Sequence, residues 1–173
     1  ALEHLELDEV RWIPAAQPWQ KERPLTPAAD REAMVQLAIQ NEPRFKLERC
    51  ELQRGGPSYT LDTVRELQAV QPAAQWFLII GQDQYASLHT WHGWQELLSR
   101  VTLAVANRPG APSLGNAEVM RIEHQKVALP MMDISSSTIR QCAAEGRDFT
   151  SMVPDAVARY IDQHRLYRGQ SGS

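Results

Sequence analysis

The chain has 173 residues, 43% of them hydrophobic and 23% charged, which suits one domain with a sizeable core. Its formal net charge of −3 argues against a nucleic-acid surface as the main business, and no apolar run is long enough to cross a bilayer as a helix. Cys50 and Cys142 form neither a C-x-x-C pair nor a zinc spacing, so both are read as reduced and the cytoplasm as the expected compartment.

The sequence opens Ala1-Leu2-Glu3-His4-Leu5 without an initiator Met. These residues read as the last turns of a helix, and an N-terminal segment is expected to precede them. No stretch has the pattern of a secretory signal. Val10 to Ile13 reads as a short strand that Pro14 ends, since proline cannot donate to a sheet ladder. Ala15 to Pro24 is a loop carrying Trp19, Lys21 and Arg23. Thr26-Pro27 predicts a helix start, with Thr26 as N-cap and Pro27 at the first helical position. Met34, Val35, Leu37, Ala38 and Ile39 give that helix a broad apolar stripe, and Asn41 to Pro43 stops it. Phe45 to Arg49 alternates as a second strand. Gly55 to Tyr59 is a loop, after which Thr60 is expected to cap a helix with Asp62 in its first turn and Val64 and Leu67 on its apolar edge. The N–H groups of such a start can receive an anion, although Thr60 is equally read as a plain N-cap.

Trp76-Phe77-Leu78-Ile79-Ile80 is an apolar run that stops at Gly81-Gln82-Asp83. It fits a strand buried on both faces, as in parallel sheets, where ligands bind beyond the carboxyl ends of the strands. Tyr85 to Leu88 and Gln95 to Arg100 are expected helices. Between them lies His89-Thr90-Trp91-His92-Gly93-Trp94. Its two histidines have a possible metal spacing but no third ligand nearby, so no metal site is expected. Its tryptophans could stack on a flat ring or belong to the core, and Trp94 is expected in the core. Val101 to Ala106 is a strong strand ending at Asn107-Arg108-Pro109-Gly110, Ala111 to Glu118 is turn-rich, and Lys126 to Leu129 is a weaker strand. Ile134-Ser135-Ser136-Ser137-Thr138-Ile139-Arg140 opens a helix through a serine cap, with Ile139, Cys142 and Ala143 buried and Gly146 closing it. Hydroxyls, free N–H groups and an arginine one turn in make a phosphate site, though such a cap is also common as plain structure. Pro154 starts a last helix whose role is packing, and His164 is read as structural. Strand and helix alternate throughout, which predicts α/β architecture with a mostly parallel sheet flanked by helices.

Taken together, these stretches resemble bacterial nicotinate-nucleotide adenylyltransferase: Ile13-Pro14 with Gln17 to Lys21, Pro57-Ser58-Tyr59-Thr60 with Thr63, Ile79 to Asp83, Thr90-Trp91, Arg108-Pro109-Gly110, Ile134 to Ser137 with Ile139-Arg140, and Val153-Pro154 through Tyr160-Ile161 to Leu166-Tyr167. They come in the family's order over nearly the whole chain. The resemblance implies a Rossmann-like nucleotidyltransferase fold as a single domain over 1–168, with 134–168 as a small C-terminal helical part and 169–173 as a flexible tail. It implies adenylyl transfer from ATP to nicotinate mononucleotide, in NAD biosynthesis, with Mg2+ and release of pyrophosphate. For ATP binding it implies Gly81, Asp83, Arg108, Ile134, Ser135, Ser136 and Arg140. For the mononucleotide it implies Lys21, Tyr59, Thr60, Trp91 and His92. Neither nucleic acid nor membrane is an expected partner, and monomer and homodimer both stay open.

Two departures stand out. Trp19 and Gln20 occupy places where the family commonly has Pro-Pro-His before the basic residue of the first loop. The family's H-x-G-H phosphate motif is absent, and its expected place is just upstream of Ala1, on a strand between those of Val10–Ile13 and Trp76–Ile80. The catalytic residues are therefore unassigned. Nicotinamide mononucleotide or another acceptor remains an alternative, as does a non-catalytic nucleotide-binding module.

Overall fold

A computed structural model describes residues 1–17, 26–107, 119–128 and 134–168. In chain order the described elements are β1 (Val10–Trp12), α1 (Ala28–Ile39), β2 (Phe45–Leu47), α2 (Cys50–Arg54), α3 (Thr60–Val70), β3 (Phe77–Gly81), α4 (Gln82–Ala86), α5 (Trp94–Arg100), β4 (Thr102–Asn107), β5 (Gln125–Ala128), α6 (Ser136–Glu145) and α7 (Asp155–Gln163). Single 3-10 turns lie at Leu88–Thr90, Val119–Arg121 and Thr150–Met152. Every described strand pairing is parallel: β1 with β2 in one sheet, and β3-β4-β5 in another. This is the expected α/β architecture. The short α2 was not foreseen. Its caps are weak in sequence, and it is held instead by Glu48, whose carboxylate accepts from the Arg49 and Cys50 backbone N–H groups.

By its contacts the chain forms two compact units, one of Ala1–Leu7 with Pro57–Met132 and one of Asp8–Gly56 with Asp133–Ser173. In the first, the apolar run of β3 sits beside β4 with Leu78 opposite Leu103, Ile79 opposite Ala104 and Ile80 opposite Val105. Strand side chains alternate between faces. Accordingly Leu78, Ile80, Leu103 and Val105 join Tyr85, Leu88 and Val119 in one cluster, while Phe77, Ile79, Ala104 and Val127 join Leu5 and Leu7 in another. The strand is thus packed on both faces, as its unbroken apolar run requires. Leu88 and Leu97 are fully buried, each contributing about 1.5–3 kcal/mol of transfer free energy. Leu97 meets Leu61 and Val64 in the seam between α3 and α5. Outside that seam Glu96 accepts from Arg65 and Arg100, and these bonds hold its carboxyl below the usual carboxylate range.

In the second unit α6 and α7 bury Cys142, Ala143, Val157, Ala158 and Ile161, with Met34 and Leu37 of α1 packed against them. Tyr160 ties α7 to α1 by donating to Asp30 (2.8 Å). His164, exposed at the end of α7, stacks on the Tyr160 ring with centroids 4.0 Å apart, in keeping with a structural role. Gly146 closes α6 in the left-handed conformation (φ 69°), as expected.

Two caps differ from expectation. Pro27, in extended conformation (ψ 145°), takes the cap position of α1, so Thr26 lies one residue too early and its hydroxyl donates to Tyr167 instead. Tyr59 (φ −94°, ψ 125°) takes the cap position of α3, and Thr60 is already helical. There the hydroxyl of buried Thr63 turns back to donate to the Tyr59 carbonyl (3.4 Å).

Candidate active site

In the first unit the carboxyl end of β3 delivers Gly81 and Asp83 where the sequence placed them. The strand ends at Gly81, the chain turns directly into α4, and both residues are exposed. Below them Tyr85 is only 2% exposed, and its hydroxyl donates to the Val119 carbonyl (2.7 Å). Burial pushes the Tyr85 hydroxyl above its ordinary pKa. That bond holds α4 against the turn that precedes β5.

Of the residues expected to bind the mononucleotide, Tyr59, Thr60, Trp91 and His92 lie around the start of α3. The Tyr59 and His92 rings lie in tilted contact, with centroids 4.6 Å apart. Thr60 is half-buried beside them in sequence, as the first residue of the helix. Trp91 is half-buried and packs against both the Leu88–Val105 and the Leu61–Leu97 clusters. Trp94, expected in the core, is likewise half-buried and belongs to none of the described core clusters. The reason is local. Gly93 is left-handed (φ 61°) and turns the chain so that Trp91 faces inward before α5 begins. A Cβ at Gly93 would lie 2.4 Å from Leu61 Cδ2, so the Leu61 side chain would have to shift, and the left-handed backbone itself favours glycine. Sequence reading did not single out Gly93; a glycine directly before an apolar helical run was the available signal.

In the second unit the serine-rich start of α6 is built as expected. Ser135 is the N-cap, its Oγ accepting from the Thr138 backbone N–H (3.0 Å). Ser136 and Ser137 are exposed in the first turn, and Ile134 is half-buried. Arg140 Nη2 donates to Ser137 Oγ (3.1 Å), which holds a cation over the amino end of the helix. Hydroxyls, helix N–H groups and a guanidinium can together receive a phosphate. Lys21 and Arg108 lie outside the described residues. Among the described residues no group of three or more His, Cys, Asp or Glu side chains could hold a metal ion.

Comparison with known proteins gives the family. Residues 1–142 match the Cytidylyltransferase-like family, which makes the chain a nucleotidyltransferase by class. A protein of Methylibium petroleiphilum named "Probable nicotinate-nucleotide adenylyltransferase" is 52% identical over 99% of this chain and 84% of its own length. One of the same name from Bordetella petrii is 44% identical over 97% of this chain and 88% of its own. The chain belongs to the nicotinate-nucleotide adenylyltransferase family. Among solved structures, Plasmodium falciparum nicotinic acid mononucleotide adenylyltransferase complexed with APC superposes with a TM-score of 0.73 over 93% of this chain and 83% of that one. At 16% identity that likeness is one of fold.

Proposed function

We propose that this enzyme transfers the adenylyl group of ATP to nicotinate mononucleotide, giving nicotinate adenine dinucleotide and pyrophosphate as a step of NAD biosynthesis. The observation that carries this reading is the 52% identity with a named relative across 99% of the chain. In the reaction a phosphate oxygen of the mononucleotide attacks the α-phosphorus of ATP. A new P–O bond forms, the bond to the β-phosphate oxygen breaks, and pyrophosphate leaves with the electron pair. No enzyme-bound covalent intermediate is required, so catalysis is positioning and charge neutralisation.

The roles follow from the chemistry of each group. Gly81 and Asp83 meet the adenosine ribose, and Arg108 lies beside the nucleotide. Ile134, Ser135, Ser136 and Arg140 bind ATP phosphates through hydroxyls, helix N–H groups and the guanidinium. Tyr59, Thr60 and His92 face the nicotinate, Trp91 stacks on its ring, and Lys21 meets a phosphate. Magnesium shields phosphate charge and favours departure of pyrophosphate when bound. Magnesium would enter with ATP, and Ser135, Ser136 and Arg140 would grip the phosphates that carry it. Neither Cys50 nor Cys142 forms a disulfide, in keeping with a reducing cytoplasm.

Pyrophosphate release by the full-length enzyme, with ATP and either nicotinate or nicotinamide mononucleotide, tests the reading. A higher kcat/KM with nicotinate mononucleotide is expected. Preference for nicotinamide mononucleotide would overturn the acceptor, and nucleotide binding without turnover of either would overturn the enzyme.

A further inference from the structure

Helices α3 and α5 lie side by side in the first unit, and their contacts run in step along both. At the amino ends the Tyr59 and His92 rings touch, with centroids 4.6 Å apart. Leu61 then meets Gly93, Arg65 meets Glu96, and Gln68 meets Arg100. The two helices therefore run parallel, and sliding one along the other would disturb all of these contacts together.

The polar ties between them are directional. Glu96 Oε1 accepts from Arg65 Nε (3.1 Å) and Oε2 accepts from Arg65 Nη2 (2.6 Å), so the guanidinium forks onto the carboxylate. Arg65 Nη1 donates to Asp62 Oδ1 (3.3 Å), and all three guanidinium nitrogens are engaged. Arg100 Nε donates to Glu96 Oε1 (2.8 Å), and one turn further along α3 Gln68 Nε2 donates to the Arg100 carbonyl (2.8 Å). Beneath these ties Leu61, Val64 and Leu97 supply the adhesion, but apolar contact is non-directional and by itself sets no register. A two-pronged bond does set one. The Arg65 and Glu96 side chains are exposed, where ion pairs contribute little to stability. What such a pair can set is geometry.

We propose that Arg65 and Glu96 are positioning residues for the mononucleotide: they lock α3 to α5 in the register that sets the Tyr59 and His92 rings against each other. This rests on the mononucleotide role given to Tyr59, Thr60, Trp91 and His92 above. Arg65 and Glu96 act through the first turn of α3 and the turn before α5, and small misplacements of substrate-positioning groups are costly. Because an exposed pair is weak, it can favour one register only modestly, which bounds the effect of its loss at about fivefold.

The test compares Glu96→Gln, Arg65→Gln, Arg65→Lys and the double variant Arg65→Gln with Glu96→Gln in the full-length enzyme. It reads Tm together with kcat and KM for each substrate. Glu96→Gln is expected to raise KM for nicotinate mononucleotide about threefold to fivefold, with kcat and KM for ATP within about twofold and Tm nearly unchanged. Arg65→Lys is expected to recover little of the Arg65→Gln loss, since an ammonium does not reproduce the fork. The double variant is expected to lose no more than the worse single one, because both changes remove one contact. Glu145→Gln removes a comparably exposed pair with Arg147 in the second unit and should change neither KM. Unchanged KM for the mononucleotide in Glu96→Gln would overturn the proposal, as would equal losses for the two substrates or single losses that simply multiply. Were Glu96→Gln not to fold, Arg65→Gln would carry the same decision. Trp91→Ala, run beside these, separates the proposal from the site reading. A raised mononucleotide KM in Trp91→Ala with none in Glu96→Gln would overturn the positioning role alone. An unaffected Trp91→Ala would refute the site reading and the positioning role with it.

Discussion

Replacing Gly93 by alanine probes the contact that brings the Trp91-His92 turn to α3. Two costs are expected, and they are separable. The first is backbone: Gly93 has φ 61°, and a left-handed alanine costs about 1–2 kcal/mol. The second is steric, because the new Cβ would lie 2.4 Å from Leu61 Cδ2. Leu61 is 2% exposed and packed with Val64 and Leu97, so its methyl cannot swing into solvent, and overpacking of this kind costs about 1–3 kcal/mol. Together the loss is about 2–5 kcal/mol. Gly56→Ala supplies the control, since Gly56 is also left-handed (φ 69°) yet a Cβ there would meet nothing within 4 Å. Urea unfolding of the two variants should therefore differ by about 1–3 kcal/mol, the steric part alone, or several degrees in Tm. Gly93→Ala should also raise KM for nicotinate mononucleotide more than for ATP, because the displaced turn carries Trp91 and His92. Equal destabilisation of the two variants would refute the argument that Leu61 and Gly93 are in tight register.

Trp91→Ala should weaken the mononucleotide more than ATP, and equal losses in titrations of each would contradict a stacking role. It should also lower stability by about 3–5 kcal/mol, because the indole packs against two core clusters. Arg140→Ala should raise KM for ATP about tenfold or more, through loss of a charge-assisted phosphate contact, and leave KM for the mononucleotide nearly unchanged. The raised pKa of Tyr85 implies that the unfolded chain loses its proton first as pH rises. The associated stability is therefore complete below the ordinary tyrosine value of 10.0 and is lost at higher pH, as the folded-state pKa is approached and passed. Tyr85→Phe should remove part of that alkaline loss in urea midpoints measured across pH. At neutral pH it should cost about 1–3 kcal/mol by leaving the buried Val119 carbonyl without its donor.

The elements that sequence reading located well are those with a strong local signature. The apolar run of β3 and the run of β4 are buried on two faces, so their hydrophobicity is nearly continuous and hard to mistake. The start of α6 was legible because Ser135 caps its own helix through a bond three residues long. The failures occur where tertiary contacts decide. Thr26 and Thr60 have capping chemistry, but the Tyr167 hydroxyl claims the first and the turn at Tyr59 moves the helix start past the second. Trp91 and Trp94 cannot be ranked from spacing alone, because the left-handed turn at Gly93 determines which indole faces the core. Arg65 was passed over for a similar reason. Nothing in a helical Val64-Arg65-Glu66 says that its partner is a carboxylate on another helix.

Several departures from local rules fall together in one short segment. Within 89–93, His89 Nδ1 and Trp91 Nε1 are buried without a hydrogen-bond partner, and Gly93 is left-handed against Leu61. Each unpaired buried polar atom costs about 1–3 kcal/mol, and stable proteins accumulate few of them. Such costs persist where function needs them and the surroundings enforce them. The surroundings here do so: Trp91 is wedged against two core clusters, and His92 rests on Tyr59. The proposed role of Trp91 and His92 toward the mononucleotide would place a function at this segment. A segment held this rigidly can present a ring face and a polar edge without ordering them afresh at each binding event, which lowers the entropic cost of recognising a flat heterocycle.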